Sequence, residues 1–182
     1  MSGAPGAGKT SLAVPLAAAL GFPLFSKDHI KETLADALTD TPRGPSQDLQ
    51  DLEFSRRLGG AAMELLWTLA MRAPEAVLEA NFRPRSAYER GRIDALAAEV
   101  VEVFCDCGAA ETARRFAARA AAGVHAAHPL RELSPELLAE YDGPVACGVV
   151  LRVDTSRPVD AAALARQVRE VFQPPARPRP IA

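Results

Sequence analysis

Gly3, Gly6 and Gly8, with Lys9 and Thr10 directly after them, give the stretch Gly3-Ala4-Pro5-Gly6-Ala7-Gly8-Lys9-Thr10 the spacing G-x-x-x-x-G-K-[ST]. That spacing answers one chemical problem, the holding of crowded phosphate oxygens. A loop that binds them must turn successive backbone N–H groups toward the anion, and side chains at the glycine positions would block the approach. Lys9 then reaches the outer phosphates of a nucleoside triphosphate, and the Thr10 hydroxyl is placed to hold Mg²⁺. The helix that begins here points its positive end at the same anion. The expected nucleotide contacts are Gly3, Pro5, Gly6, Ala7, Gly8, Lys9, Thr10 and Ser11.

Ligands of an open parallel sheet gather beyond the carboxyl ends of its strands, so residues just after each strand are the next candidates. Asp28 ranks first, in Ser26-Lys27-Asp28-His29-Ile30-Lys31. Its carboxylate can take the proton of a substrate hydroxyl as that hydroxyl attacks the γ-phosphate. Lys31, one helical turn on, can hold an anionic group of the acceptor or the migrating phosphoryl. The plainer reading of Asp28 is a helix cap for the amides of residues 29–31. In Leu78-Glu79-Ala80-Asn81-Phe82-Arg83, Glu79 is a candidate to orient a magnesium-bound water, while Asn81 and Arg83 are placed to touch the acceptor. Arg85 reads as a solvated loop charge. Asp106 ends another apolar stretch and rivals Glu79 for the metal side.

Arg114, Arg115 and Arg119 lie on an alanine-rich helix, where the spacing of Arg115 and Arg119 puts two guanidinium groups on one face. Phosphoryl transfer spreads charge over equatorial oxygens, and an arginine closing over them stabilises that charge. The bland alternative is a solvated helix face. The lid is assigned to about residues 109–130, with Gly123, His125 and His128 as its mobile part. Cys105-x-Cys107 with His125-x-x-His128 has zinc-like spacing, but a strand alternates the faces around Cys105, which argues against a metal site there.

These groups need elements to position them. The pattern predicts a helix over 12–20 with Pro15 inside it, marking a kink or early stop, and Gly21 ending it. A strand over 22–26, a helix over 28–38, a loop over 39–45 and a helix from Ser46 to about Met71 follow. Next come a strand over 76–82, a helix over 86–99, a strand over 100–105, helices over 109–122 and 134–141, a strand over 147–153 and a helix over 160–172. Strand and helix alternate, which argues for a parallel sheet covered on both faces. Residues 1–173 form one domain, and the Pro/Arg-rich residues 174–182 read as a disordered tail.

The chain has 182 residues, 48% of them hydrophobic, enough for one well-filled core. A net charge of -2 lacks the basic excess of a dedicated binder of long nucleic acid, so a small acceptor is favoured over a nucleic-acid one. No apolar run has the length of a membrane span, and a phosphate loop at the extreme N-terminus leaves no room for a secretion signal. Three cysteines suit a reducing compartment, and the cytoplasm is expected. Only Met1 and Ser2 precede the loop, where a buried strand is normally found. The start therefore reads as misplaced or trimmed, with the first strand short or missing.

The phosphate loop together with Lys27, Asp28 and Lys31 resembles the P-loop kinases that include polynucleotide 5′-hydroxyl kinase, the zeta toxins and chloramphenicol phosphotransferase, often grouped with AAA-family ATPases. The likeness spans most of residues 3–172. It implies a three-layer α/β P-loop NTPase fold with a five-stranded parallel sheet in the order 2-3-1-4-5. It also implies ATP and Mg²⁺ as cofactors, Asp28 as base, Lys31 as acceptor or phosphate contact, and Arg115 and Arg119 as closers on the transferred phosphate. Val153-Asp154-Thr155-Ser156 resembles a turn these proteins place near the adenine. Relatives often carry aspartate where this chain has Glu79. The expected activity is transfer of the γ-phosphate to a hydroxyl of a small molecule. The alternatives are a polynucleotide or nucleotide-sugar kinase, and a regulatory ATPase without an acceptor. A GTPase is disfavoured, because Asn81 is the lone asparagine and no N-K-x-D occurs.

Overall fold

The computed structural model describes residues 1–39, 52–123 and 125–172. In chain order these form α1 (Lys9–Leu20), β1 (Leu24–Ser26), α2 (Lys27–Thr39), α3 (Leu52–Ala70), β2 (Val77–Glu79), α4 (Ala87–Asp94), β3 (Val101–Asp106), α5 (Ala109–Ala121), α6 (Pro135–Ala139), β4 (Val149–Asp154) and α7 (Ala161–Phe172). The predicted loop over 39–45, the start of the long helix at Ser46 and the tail over 174–182 fall wholly or largely outside the described residues.

Two parallel two-stranded sheets are present, β1 beside β2 and β3 beside β4, with Ser26 opposite Glu79 and Asp106 opposite Asp154. Two separate pairs do not by themselves confirm the expected single sheet of five strands in the order 2-3-1-4-5. The dipeptide Met1–Ser2 stands between the pairs. Its Met1 ammonium donates to Leu78 O at 2.6 Å, Ser2 N to Val103 O at 3.0 Å, and Cys105 N to Ser2 O at 2.9 Å. Two residues are too few to make a ladder.

Strand side chains alternate faces, and the core follows that period. Leu24, Val77, Val103 and Cys105 pack with Leu16 and Leu20 of α1 and with Leu164 and Val168 of α7. Phe25, Leu78, Ala80 and Phe82 turn the other way, onto Leu66 and Trp67 of α3. Helices therefore cover both faces, the α/β layering that the alternation of strand and helix predicts. Leu16 is 1% exposed and Val168 5% exposed. Burial on this scale contributes about 1.5–3 kcal/mol per side chain.

Pro15 does not break α1, which runs on to Gly21, whose φ of 73° closes it with backbone bonds to Ala17 and Ala18. The ring lies on the exposed face, so water can serve the carbonyl that its missing N–H leaves free. Arg169 of α7 donates to Ala19 O at 2.8 Å and ties the end of α1 to the closing helix. The helix predicted over 86–99 is only Ala87–Asp94, capped by Ser86, and Ala97 takes a φ of 51°. A cavity of about 590 Å³ lies between the starts of β2 and β3, lined among others by Met1, Trp67, Phe82, Val101 and Val168. No residue of the phosphate loop lines it. Among the described residues, no helix is long and apolar enough to cross a membrane.

Candidate active site

The loop over residues 3–8 links Ser2 to α1 and is pressed against β3 and α5. At Gly3, with φ +125°, an added Cβ would stand 2.3 Å from Cys105 O, and at Gly6, with φ +93°, it would stand 2.6 Å from Thr112 O. The backbone path is therefore open only to glycine. Gly8 precedes α1 without a side-chain cap, which leaves the first amides of the helix to face an anion.

Lys9 is 6% exposed, and its Nζ donates to Ala4 O at 2.8 Å across the loop. Burial pushes its pKa down and Arg119 adds to that, while Glu79 and Asp28 pull the other way. One ammonium therefore senses three other candidate groups at once. The Thr10 hydroxyl donates to Glu79 Oε1 at 3.1 Å, and Ser26 Oγ donates to Glu79 Oε2 at 2.5 Å. Parallel pairing of β1 and β2 sets this up, because Ser26 and Glu79 are partners at the strand ends. Asp106 is exposed and accepts instead from Gly108 N at 2.8 Å. Of the two rival carboxylates, Glu79 is the one that meets Thr10.

Asp28 stands in the first turn of α2, where the helix dipole favours a carboxylate. Burial would raise its pKa. The Lys27 ammonium, 3.0 Å away, outweighs that together with His128 and Lys9, and the carboxyl ends below its usual range. It is ionised at neutral pH, the state a proton acceptor needs. Lys31 is buried in the same helix, with its pKa pulled down to about 8 by burial first and the Lys27 charge second.

Asn81 is half-buried just past β2. Arg83 is exposed and turns to Glu89, 3.3 Å away, and Glu140, 3.8 Å away. Arg85 pairs with Asp142 at 2.8 Å on the surface. Arg114 is spent on Glu111 at 2.7 Å. Arg115 also holds Glu111 but donates to Thr155 O at 3.0 Å, and its Nη1 would lie 3.6 Å from a Cβ added at Gly8. Arg119 is exposed, with its guanidinium 5.6 Å from the centre of the Phe116 ring.

Four more residues hold these groups: Ser26 and Ser55, which carry no local sequence signal, Thr155 of the 153–156 turn, and His128, expected in the mobile part of the lid. Thr155 Oγ1 donates to Ala7 O at 2.7 Å and bonds Asp106 O at 3.1 Å, fastening the 153–156 turn to the phosphate loop. Ser26 holds Glu79. Ser55 accepts from Lys31 Nζ at 2.8 Å, and His128 meets Glu32 at 3.0 Å. Among the described residues no cluster of three or more His, Cys, Asp or Glu side chains could hold a metal ion.

Phosphate loop, buried lysine and flanking α/β layers together define a P-loop kinase-like protein. The chain belongs to the AAA domain family, whose model matches residues 1–144. It is similar to the crystal structure of "a putative kinase" from Chloroflexus aurantiacus J-10-fl, with 26% identity, a TM-score of 0.73, and 94% of this chain and 96% of that chain covered. Comparison with curated proteins finds no match.

Proposed function

We propose that the protein is an ATP- and Mg²⁺-dependent phosphotransferase that moves the γ-phosphoryl group onto a hydroxyl of a small molecule in the cytoplasm. The observation that carries this reading is geometric: Lys9 is buried behind a loop whose path at Gly3 and Gly6 is open only to glycine, beside Thr10 and Glu79 joined at 3.1 Å. Asp28, in the first turn of α2, is near enough to Lys9 for the two charges to act on each other.

The residues present fit the implied groups. Glycine at positions 3 and 6 seats the loop against Cys105 and Thr112, and the uncapped start of α1 after Gly8 leaves helix amides to phosphate oxygens. The Thr10 hydroxyl and the Glu79 carboxylate are hard oxygen donors of the type Mg²⁺ takes. When bound, that ion would neutralise charge on the β- and γ-phosphates. The neighbour described as a kinase supports the same class.

Asp28 accepts the proton of the acceptor hydroxyl as its oxygen forms the bond to the γ-phosphorus, and the bond to the β–γ bridging oxygen breaks to release ADP. Lys9 holds the outer phosphates, and Arg115 and Arg119 close over the transferred group. Lys31 and Asn81 are assigned to the acceptor, and Arg83 would reach it on leaving Glu89 and Glu140. A five-stranded sheet in the order 2-3-1-4-5 belongs to this reading, with Met1–Ser2 in the central place. The net charge of -2 favours a small acceptor over a nucleic acid.

Incubation with γ-labelled ATP and a panel of hydroxyl compounds tests the reading. Label should move to an organic acceptor, and Asp28→Asn should abolish transfer while nucleotide affinity stays within about threefold. Label released only as free phosphate, from wild type as well as variant, would replace the kinase with a regulatory ATPase.

A further inference from the structure

Lys31 is 5% exposed, and its ammonium donates to a neutral hydroxyl, Ser55 Oγ of α3, at 2.8 Å. A serine hydroxyl has one hydrogen to give. Ser55, itself 5% exposed, gives it to Ala127 O at 2.9 Å. Its lone pairs are thereby turned toward Lys31, so Ser55 can act on Lys31 only as an acceptor. One turn along α3, Gly59 lies against both lysine stems: a Cβ added there would stand 3.8 Å from Lys27 Cε and 4.0 Å from Lys31 Cε.

The Ala127 carbonyl is held from several sides. Ala127 is 0% exposed and packs with Ala35 and Leu58. Its N–H donates to His125 Nδ1 at 3.1 Å, which assigns the proton of that ring to Nε2, 2.9 Å from Asp36 Oδ1. His128 Nε2 lies 3.0 Å from Glu32 Oε1. Residues 125–128 are thus clamped to the α2 face that carries Glu32 and Asp36, one turn and two turns beyond Asp28.

We propose that Ser55 is a positioning residue for Lys31: it fixes the ammonium at the acceptor side of Asp28 and makes that placement depend on the docking of residues 125–128. The proposal rests on the reading of Asp28 as base and deepens it. The groups that act on Lys31 are Lys27, Asp28 and Glu32 of its own helix, Ser55 of α3 and His128 of the docked segment. Burial and Lys27 disfavour its charge, while the carboxylates and the Ser55 lone pairs favour it.

The chain contains only three lysines, Lys9, Lys27 and Lys31. Side-chain NMR of ¹³C,¹⁵N-lysine in the full chain therefore reads each one, with Lys31→Arg identifying the signal. In Ser55→Ala the Lys31 midpoint should fall by about one pH unit, because an acceptor bond to a charged group is lost. Ser55→Thr, which keeps the hydroxyl, should restore it. An unchanged midpoint in folded Ser55→Ala overturns the proposal, and if that variant does not fold, Ser55→Cys is read against the same two outcomes. None of this needs turnover, so it stands apart from the kinase reading, whose failure would show as no transfer by wild type. Where wild type does transfer, Ser55→Ala should raise the acceptor KM by about tenfold with ATP affinity unchanged. An unchanged acceptor KM overturns the link to the reaction.

Discussion

The Thr10 hydroxyl lies 3.1 Å from Oε1 of Glu79, so the first turn of α1 and the end of β2 meet at the mouth of the phosphate loop. The same carboxylate takes Ser26 Oγ on its other oxygen, which fixes its plane. Glu79 is 2% exposed, and the ammonium groups of Lys9 and Met1 both act on it. Glu79→Gln keeps the shape and removes the charge. It should weaken Mg²⁺-supported nucleotide binding by about 10- to 100-fold. Calorimetric titration of nucleotide at several Mg²⁺ concentrations checks this, and equal loss with and without Mg²⁺ would remove Glu79 from the metal side.

Gly3 makes a sharper stability test. A methyl at this position would meet Cys105 O at 2.3 Å in a backbone with φ +125°. The carbonyl cannot retreat easily, since β3 is held by the bonds of Val103 and Cys105 to Ser2. Gly3→Ala should destabilise the fold by about 2 kcal/mol or more. Thermal unfolding measures it, and an unchanged midpoint would mean the loop path differs from the one described.

The phosphate loop, the strand and helix alternation and the Asp28 helix were legible because each is written in a short local pattern. The rest is written in long-range contacts. Thr155 bonds Ala7, 148 positions away, Ser26 bonds Glu79, 53 away, and Ser55 bonds Ala127, 72 away. A single serine or threonine offers no periodicity to detect. Spacing put Arg114, Arg115 and Arg119 on one helix, but only coordinates show Arg114 held by Glu111, Arg115 leaning toward Gly8 and Arg119 over the Phe116 ring. The sequence pointed to Pro15 as a break, yet a proline on the wetted face of a helix can leave its carbonyl partner to water.

Thr155 predicts a separable defect. Its hydroxyl reaches Ala7 O at 2.7 Å inside the loop, and the side chain is 7% exposed. Thr155→Val preserves volume and leaves a buried carbonyl with one fewer donor. Nucleotide affinity should fall by about tenfold. The rate of transfer at saturating nucleotide should change far less, because Arg115 is held by the Thr155 backbone carbonyl, which the substitution keeps. Comparison of nucleotide KM with kcat in the variant separates the two, and a fall in kcat alone would contradict the assignment.

Lys31 links stability to pH with a definite sign. Its folded pKa is about 8 against 10.5 for a solvated lysine, so between these values the unfolded chain holds a proton that the folded chain has released. Stability therefore rises as pH climbs through that window, and below it the buried charge is a standing penalty. Lys31→Met should remove both effects, stabilising the protein at neutral pH on the order of 2 kcal/mol and flattening the alkaline rise. Activity should move the opposite way, falling above about pH 8 as the ammonium facing the acceptor is lost. Lys31→Arg keeps the charge and should abolish that alkaline fall. Denaturant unfolding and kcat/KM, each measured from pH 7 to 10, test the pair. Stability and activity that rise together in wild type would place the titration on a different group.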